Sequence, residues 1–365
     1  MFAIPIFKNI FGLRGGGLEN VMNNKVNYAV LGVGGFGIAH CMAINDNECA
    51  NLVMVCDNVA EIAEKAGRDY SVKYTTDFDE VINSPEVDAI CIVIPDPLHK
   101  EYVVKALKAG KHVLCEKPMA LKYEECKEMV KVADESEKFL MVGQVCRFTP
   151  SFIKAKEIVE SGEIGELFFI ESEYAHDYAH VQTPWRYDPK HPRHGMIGGG
   201  CHAVDLMRWI AGDPVEVFGY SNKKVMKDCP TDDTIVAVMQ FPNDIIGKVF
   251  CSTGVKRSGT LRTVIYGTKG TIIVDNGSKH ITLYREEIEG NKVGYGVECE
   301  RMELKIPVAV NSHNIKDEIK QFSECILTNT EPAVSGREGA KTVSICESIV
   351  KAADEHRLVR VDYGM

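Results

Sequence analysis

Paired cysteines at metal-binding or redox spacing are missing from this chain. It has 13 cysteines, yet no two of them stand as Cys-x-x-Cys, and the total is odd. Several lie inside apolar runs, for example Cys91 in AICIVI and Cys251 in VFCS. This usage predicts reduced, buried thiols in a cytoplasmic protein rather than a disulfide framework or a zinc ribbon.

An excess of basic residues is also missing. Lysine and arginine number 42 against 52 acidic residues, for a net charge of −10. This balance argues against a nucleic acid or an anionic membrane as partner. The apolar start of the chain is interrupted by Pro5 and Lys8 and has no small-residue cleavage site, so we expect an N-terminal extension over residues 1–25, neither signal peptide nor membrane span. Met22, directly before the first predicted strand, is an alternative native start.

A glycine motif opens the next segment. An apolar run over residues 26–31 leads into Gly32, Gly34 and Gly37 at G-x-G-x-x-G spacing, and a helical pattern follows. A strand before and a helix after the glycines are the context that a dinucleotide-binding turn requires. A second apolar run ends at Asp57, 20 positions after Gly37, where such folds place the acid that binds the adenosine ribose.

Each residue of this motif has a separate physical role. Gly32 permits the tight turn, Gly34 lets the backbone approach the pyrophosphate, and Gly37 lets the helix pack closely on the strand. The helix N-terminus, with Gly35 and Phe36 in its first turn, offers free N–H groups to the phosphates. Asp57 would repel a 2′-phosphate and no arginine follows it, which predicts NAD rather than NADP as cofactor.

Strands and helices alternate up to residue 150. Apolar strands in this alternation predict a parallel sheet with helices on both faces, and ligands bind at the carboxyl ends of its strands. The polar and proline residues expected at that edge, and therefore at the cofactor, are Pro95, Pro97, His99, Glu116 and Lys117.

The pattern changes in the second half. Segments of alternating polar and apolar residues, separated by tight turns, predict a large, mostly antiparallel sheet. The fold class is therefore α/β, with a Rossmann dinucleotide-binding domain at residues 26–150 and an α+β domain with an open sheet at residues 151–365. Two closing helices are expected to pack partly on the Rossmann domain. The open face of the second sheet predicts a homo-oligomer.

Motifs along the whole chain resemble those of one enzyme family. The glycine turn, EKP after the fifth strand, WRYDP followed by GGG, HAVDLMRW and the closing GREGAKTV are similar to the glucose–fructose oxidoreductase/inositol dehydrogenase (Gfo/Idh/MocA) family over about residues 26–362. The resemblance implies an NAD(P)-dependent oxidoreductase acting on a sugar, a cyclitol or their derivatives. Within the family, the sequence is loosely similar to members that oxidise the C3 hydroxyl of glucose or glycosides.

The resemblance also assigns roles. Lys117 of EKP stands between nicotinamide and substrate, where it can stabilise developing alkoxide charge or act as the base. The family histidine falls on His202, a suitable general base. The family aspartate four positions earlier falls on Gly198, so the acid is absent, and Asp205 is the candidate that orients His202 or binds a substrate hydroxyl.

Sugars need aromatic and hydrogen-bonding side chains together. The candidates for substrate contact are Arg147, Tyr174, His176, Trp185, Arg186 and His194.

Other functions stay open at this point. His191, His194, Cys201, His202 and Asp205 cluster in sequence, but not at a known zinc spacing, so we predict no metal. A nucleophilic Cys201 is not needed for hydride chemistry. The alternatives to a dehydrogenase are an NAD-bound glycosidase or lyase working through transient C3 oxidation, and a sensor that only binds NAD.

Overall fold

The described residues form two β-sheets, of six and nine strands. This architecture is seen in a computed structural model that describes residues 24–181, 183–285 and 302–365. The predicted N-terminal extension, apart from residues 24 and 25, lies outside the described residues.

The first sheet is entirely parallel, in the order β3-β2-β1-β4-β5-β6. Its strands are β1 (Val26–Leu31), β2 (Ala50–Cys56), β3 (Lys73–Thr75), β4 (Ala89–Ile92), β5 (His112–Cys115) and β6 (Leu140–Val142). The prediction of a Rossmann fold is therefore confirmed. The direction of winding reverses between β1 and β4, which opens a crevice at their carboxyl ends.

Helices cover both faces of this sheet. They are α1 (Gly35–Asn45), α2 (Ala60–Tyr70), α3 (Phe78–Asn83), α4 (His99–Lys108) and α5 (Tyr123–Ser136). In α5 the buried residues Tyr123, Cys126, Met129 and Val130 recur at spacings of three and four, so one apolar stripe faces the sheet.

The last strand of the first sheet is shorter than its sequence suggested. The sequence FLMVGQVCRF over residues 139–148 is largely apolar, but β6 ends at Val142 and a 3₁₀ turn, Val145–Phe148, follows. The ladder stops where Gly143 donates its last sheet hydrogen bond to Cys115. The turn then directs Arg147 towards a buried carboxylate in the second half of the chain.

The second sheet has the order β14-β13-β12-β11-β7-β10-β9-β8-β15. Its strands are β7 (Leu167–Ala175), β8 (Glu216–Asn222), β9 (Thr234–Gln240), β10 (Ile246–Ser252), β11 (Thr260–Gly267), β12 (Gly270–Asp275), β13 (His280–Arg285), β14 (Met302–Pro307) and β15 (Val359–Arg360). All its described pairings are antiparallel except that of β7 with β10, which confirms a mostly antiparallel sheet.

One face of the second sheet is covered by helices. The helices of this half are α6 (Pro150–Glu160), α7 (Gly195–Gly198), α8 (Cys201–Ala211), α9 (Ile315–Thr328) and α10 (Gly336–Glu355). Helix α8 packs on β7 and β11, and α6 packs on β12. Helix α10 contacts both β8 and α5, while α9 contacts α1, so the two closing helices lie against the first half of the chain.

The other face of the second sheet is open. Along β9, Val236 and Val238 are 39% and 49% exposed, whereas the residues between and beside them are buried. This alternation shows that one face of the sheet packs on the protein core and the other faces solvent. Within the described residues, none of the helices combines the length and the apolar character needed to cross a membrane.

Candidate active site

The glycine turn shapes the first part of the site. Gly32 has φ +85°, and a Cβ there would lie 2.2 Å from the carbonyl oxygen of Val93. A Cβ on Gly37 would lie 1.8 Å from the oxygen of Gly32, so the helix approaches the strand as closely as glycine allows. At Gly34 and Gly35, by contrast, a Cβ would meet no atom within 4 Å. The backbone at the start of α1 therefore faces free space, with N–H groups available for phosphates.

Asp57 stands at the end of β2. Its carboxylate accepts hydrogen bonds from the backbone N–H of Val33 and of Val59, both at 3.0 Å. These contacts hold the carboxylate beside the glycine turn. The open space at the turn, the helix N-terminus and this acid together fit a dinucleotide.

The EKP segment follows β5. Glu116 accepts hydrogen bonds from Nε2 of His40 at 2.9 Å and from the backbone N–H of Lys117 at 3.0 Å. Burial alone would raise the pKa of Glu116, but the hydrogen bond and charge of His40, with Lys117, lower it below its ordinary value. Glu116 is therefore a carboxylate inside the protein.

His99 connects the EKP segment to the loop after β4. Its two ring nitrogens lie 2.9 Å from the carbonyl oxygens of Pro118 and Ile94. The Lys117–Pro118 bond is cis. The two loops that flank the cofactor crevice are thus tied together by one buried side chain.

A cavity of about 390 Å³ lies at the carboxyl ends of the parallel strands and is closed on the other side by the second domain. This volume is in the range of small-molecule sites. It is lined by Gly34, Gly35, Phe36, Gly37, Val93, Ile94, Pro95, Asp96, His99, Glu116, Lys117, Cys146, Tyr174, His176, Tyr178, Trp185, Arg186, Arg193, His202, Leu261, Asn276 and His313.

Lys117 and His202, the two residues predicted to do the chemistry, both line this cavity. The ammonium group of Lys117 lies 3.4 Å from the carbonyl oxygen of Gly198, one turn before His202. On the other side of His202, its Nδ1 lies 3.4 Å from the Sγ of Cys146. Cys146, which follows the last strand of the Rossmann sheet, therefore contacts His202 of the second domain.

The electrostatics of the cavity keep His202 neutral. Burial lowers the pKa of His202 well below its ordinary value, and the positive charge of Lys117 lowers it further. Burial and Lys117 also lower the pKa of His176, and that of His313. A neutral imidazole at neutral pH is the protonation state that a general base needs.

Asp205 has other partners than the predicted ones. It is 1% exposed and accepts hydrogen bonds from Nε and Nη2 of Arg147 at 2.7 and 2.8 Å. The hydroxyl of Thr342 donates a third, at 2.8 Å. Arg147 is also buried, and neither residue is among those lining the cavity. The expected contact of Asp205 with His202, and of Arg147 with substrate, is replaced by an ion pair inside the protein.

This ion pair belongs to a larger network. Arg208, on α8 with Asp205, donates to Glu338 of α10 at 2.9 Å. Burial would raise the pKa of Glu338, but the hydrogen bond and charge of Arg208 hold it at about 2. The motifs HAVDLMRW and GREGAKTV therefore meet in charged contacts that join α8, α10 and the end of the first sheet.

The position of the family acid is filled by a cation. A Cβ on Gly198 would lie 1.9 Å from Nη1 of Arg193, so a side chain at 198 would displace the guanidinium. Arg193 forms an ion pair with Asp96 and donates to the oxygen of Gly198 at 3.0 Å. His194, a predicted substrate contact, is buried outside the cavity lining and accepts a hydrogen bond from Met196 N–H.

The remaining substrate candidates, Tyr174, His176, Trp185 and Arg186, all line the cavity. Tyr174 stacks on His176 with ring centroids 4.1 Å apart, and its hydroxyl pairs with that of Tyr178. Of the cofactor candidates, Gly32, Asp57 and Pro97 lie outside the lining, and the others are part of it.

The lining also contains residues that the sequence analysis did not select, among them Arg193, Asn276 and His313. Each stands in a loop, and no motif marks it. For Arg193, the three glycines at 198–200 were the available indication in the sequence. Because glycine has no side chain, a segment of three glycines leaves space that a long side chain from elsewhere can occupy.

The metal alternative can be compared with the geometry. Among the described residues, the group of potential ligand atoms that come together is His40, Glu116 and Glu318, all buried. The sequence cluster from His191 to Asp205 is not brought together in this way.

Comparisons with known proteins match the two halves of the chain to two family models. Residues 26–144 match an oxidoreductase family with an NAD-binding Rossmann fold, and residues 152–273 match the GFO/IDH/MocA C-terminal domain. The chain belongs to the Gfo/Idh/MocA family. It is therefore an oxidoreductase of a family of NAD(P)-dependent sugar and cyclitol dehydrogenases, as the resemblance predicted.

Relatives cover nearly the full length. A D-xylose 1-dehydrogenase [NADP(+)] of Haloarcula marismortui is 26% identical, with 94% of this chain and 95% of the relative covered. A myo-inositol 2-dehydrogenase of Thermotoga maritima is 27% identical, with 91% and 98% covered. The solved structure of a levoglucosan dehydrogenase with NADH and levoglucosan has the same fold, at a TM-score of 0.82 and 22% identity, with 93% and 100% covered.

Proposed function

We propose that this protein oxidises a secondary hydroxyl of a sugar, glycoside or cyclitol with NAD, and that the hydroxyl is at C3 of a glucose unit, giving a 3-keto product. The observation that carries the proposal is that Lys117 and His202 line one cavity with the glycine turn. The C3 position is supported by the resemblance to family members of that activity.

The residues have distinct roles in this reaction. NAD, when bound, supplies the hydride acceptor. Neutral His202 takes the hydroxyl proton on its Nε2, with the ring proton on Nδ1 donated to the Sγ of Cys146. Lys117 donates a hydrogen bond to the same oxygen and stabilises the negative charge that develops there. Tyr174, His176 and Trp185 provide aromatic surface for the sugar ring.

The choice of NAD over NADP rests on Asp57. Its carboxylate is held at the end of β2 by two backbone N–H groups, where it can bind ribose hydroxyls and repel a 2′-phosphate. A relative of the chain uses NADP(+), so the two cofactors must be compared directly.

A substrate panel with NAD and NADP, followed by NADH absorbance and product NMR, tests the proposal. A keto sugar with stoichiometric NADH supports it. Release of free sugar from a glycoside without net NADH would instead show the glycosidase alternative, and binding of NAD with no product would show a sensor. Lys117→Ala and His202→Ala are expected to lower kcat by about 10²–10⁴-fold with little change in NAD affinity.

The oligomer is a second part of the proposal. The open sheet face carries Tyr220, Val236, Val238 and Phe250 in register across three strands, with Lys248 and Glu171 beside them. Apolar residues mixed with both charges suit a second copy of the same face. Val238→Glu should shift the mass in light scattering towards the monomer, whereas an unchanged mass would overturn this assignment.

The twelve described cysteines are all free, which supports a reducing compartment such as the cytoplasm.

A further inference from the structure

Two cations converge on one carbonyl group in the wall of the cavity. The oxygen of Gly198 accepts hydrogen bonds from Arg193 Nη2 at 3.0 Å and from Lys117 Nζ at 3.4 Å. Because Gly198 has no side chain, the guanidinium fits into the wall itself. The cavity thus has positive charge on two of its sides where the reacting sugar is expected.

A third cation lies close by. The guanidinium carbons of Arg186 and Arg193 lie 4.9 and 5.4 Å from the ring centroid of the same residue, Trp185. The Nε of Arg186 is buried and has no hydrogen-bond partner among the described residues. A buried donor left unpaired costs about 1–3 kcal/mol. A ligand that accepts this hydrogen bond would remove that cost.

The acids of the cavity neutralise only part of this positive charge. Among the described residues two carboxylates line it: Asp96 pairs with Arg193, and Glu116 is bound by His40. Lys117 and Arg186 have no carboxylate oxygen within ion-pair distance in the described part of the chain. The histidines of the lining do not change the balance, because burial lowers the pKa of His176, His202 and His313.

The phosphates of the cofactor do not account for this charge. They are expected at the N-terminus of α1, where the backbone faces free space. Arg186 and Arg193 belong instead to the second domain, between β7 and α7. They therefore lie on the side of the cavity where the substrate, rather than the cofactor, is expected.

We infer that the substrate is an anionic sugar derivative, whose carboxylate or phosphate group binds Arg186 beside Arg193. The guanidinium fork matches two oxygens of such a group, and a positive, partly enclosed cavity concentrates anions. The inference rests on the proposed function, since it specifies the substrate class of the same site. Lys117 then remains available for the reacting hydroxyl.

The test uses pairs of sugars in which one member carries an anionic group at C6 and the other is neutral. Methyl β-D-glucopyranoside is compared with its uronate, and glucose with glucose 6-phosphate, by calorimetric titration of the full-length protein saturated with NADH. We expect the charged member of at least one pair to bind about tenfold more tightly, which is about 1.4 kcal/mol. The uronate and phosphate pairs separate the two sources of negative charge. The preference should decrease as salt is added.

Variants connect the preference to Arg186. Arg186→Gln should reduce the preference for the charged sugar to less than about threefold, and Arg186→Lys should restore part of it. The exposed Arg357, paired with Glu355, provides the control Arg357→Gln. Equal melting temperatures and NADH affinities show that each variant is folded.

Two outcomes must be kept apart. Equal binding of charged and neutral sugars, unaffected by Arg186→Gln, overturns the inference and leaves the proposed oxidoreductase intact if either sugar reduces NAD. Preferential binding of the anion with no reduction of NAD by any sugar upholds the anion site and overturns the proposed reaction.

Discussion

The Sγ of Cys146 lies 3.4 Å from the Nδ1 of His202, and both side chains are buried. Burial raises the pKa of the Cys146 thiol, so this partner of the imidazole is neutral. The contact joins the 3₁₀ turn after β6 to the start of α8. In the proposed reaction it positions His202 in place of the acid that the family resemblance leads one to expect at Gly198.

Replacing this thiol should affect catalysis through His202. Cys146→Ala removes one weak hydrogen bond, of about 1 kcal/mol, and should lower kcat about fivefold with KM nearly unchanged. Cys146→Ser, which keeps a hydrogen-bonding atom, should recover most of the rate. Steady-state kinetics at several pH values measure both effects. Full activity and an unchanged pH profile in the alanine variant would show that Cys146 only packs.

The low pKa of His202 predicts that this histidine stays unprotonated, and able to accept a proton, in mildly acidic solution. Because burial and Lys117 lower this pKa below 6.5, His202 stays unprotonated below that pH, and the acid limb of kcat/KM should lie below pH 6.5. Lys117→Met removes the positive charge, so the His202 pKa should rise towards its ordinary value. Histidine NMR titration of wild type and variant measures the change, with Lys256→Met, an exposed lysine, as control.

The same shift has a consequence for stability. The unfolded chain binds a proton at His202 at a higher pH than the folded protein does, so acidification below about 6.5 favours unfolding. A His202 pKa in the variant equal to that of the wild type would contradict the role of Lys117 in this shift.

Asp205 is expected to serve stability more than chemistry. Asp205→Asn leaves the guanidinium of Arg147 buried without its nearest charged partner, and should lower the free energy of unfolding by about 3–5 kcal/mol. Urea denaturation measures it. Asp134→Asn, which breaks the exposed pair with Arg337, should cost about 0–1 kcal/mol. Loss of turnover in a fully stable Asp205→Asn protein would instead place Asp205 in the reaction.

Glu318 should be a neutral acid in the folded protein. Its two carboxyl oxygens have no partner among the described residues, and burial, with the charge of Glu116, raises its pKa well above the ordinary value. Above the ordinary pKa, folding must therefore take up a proton, and stability decreases with rising pH by up to about 1.4 kcal/mol per pH unit.

Glu318→Gln cannot ionise and should lack this decrease. Its stability relative to wild type should rise between about pH 5 and about pH 8, measured by urea denaturation at each pH. Glu324→Gln, on the same helix but partly exposed, should show no such trend. A constant difference between Glu318→Gln and wild type across this range would contradict a neutral Glu318.

Local patterns were sufficient for much of the fold. The glycines at 32, 34 and 37 and the apolar strands around them predict the Rossmann half because each signal lies within a few residues of the structure it specifies. The parallel pairing of β7 with β10 was not predictable in this way, because the two strands are far apart along the chain and their alternation fits either direction.

The candidate site likewise contains residues that local sequence could place and contacts that it could not. Lys117, at the end of a strand, could be placed at the crevice from sequence, because carboxyl ends of parallel strands share one edge. The partner of Asp205 could not, because His202 is three positions away and Arg147 is 58 positions away. A buried carboxylate binds the cation that the fold presents to it, not the neighbour in sequence.

By itself, the sequence determined that a dinucleotide turn precedes a second domain with an alternating sheet, since these depend on backbone freedom and short-range periodicity. The tertiary structure alone decided that Arg193 occupies the space left by Gly198 and that Cys146 contacts His202. Both depend on side chains from separate segments entering one enclosed volume, and that volume exists only after the two sheets have packed together.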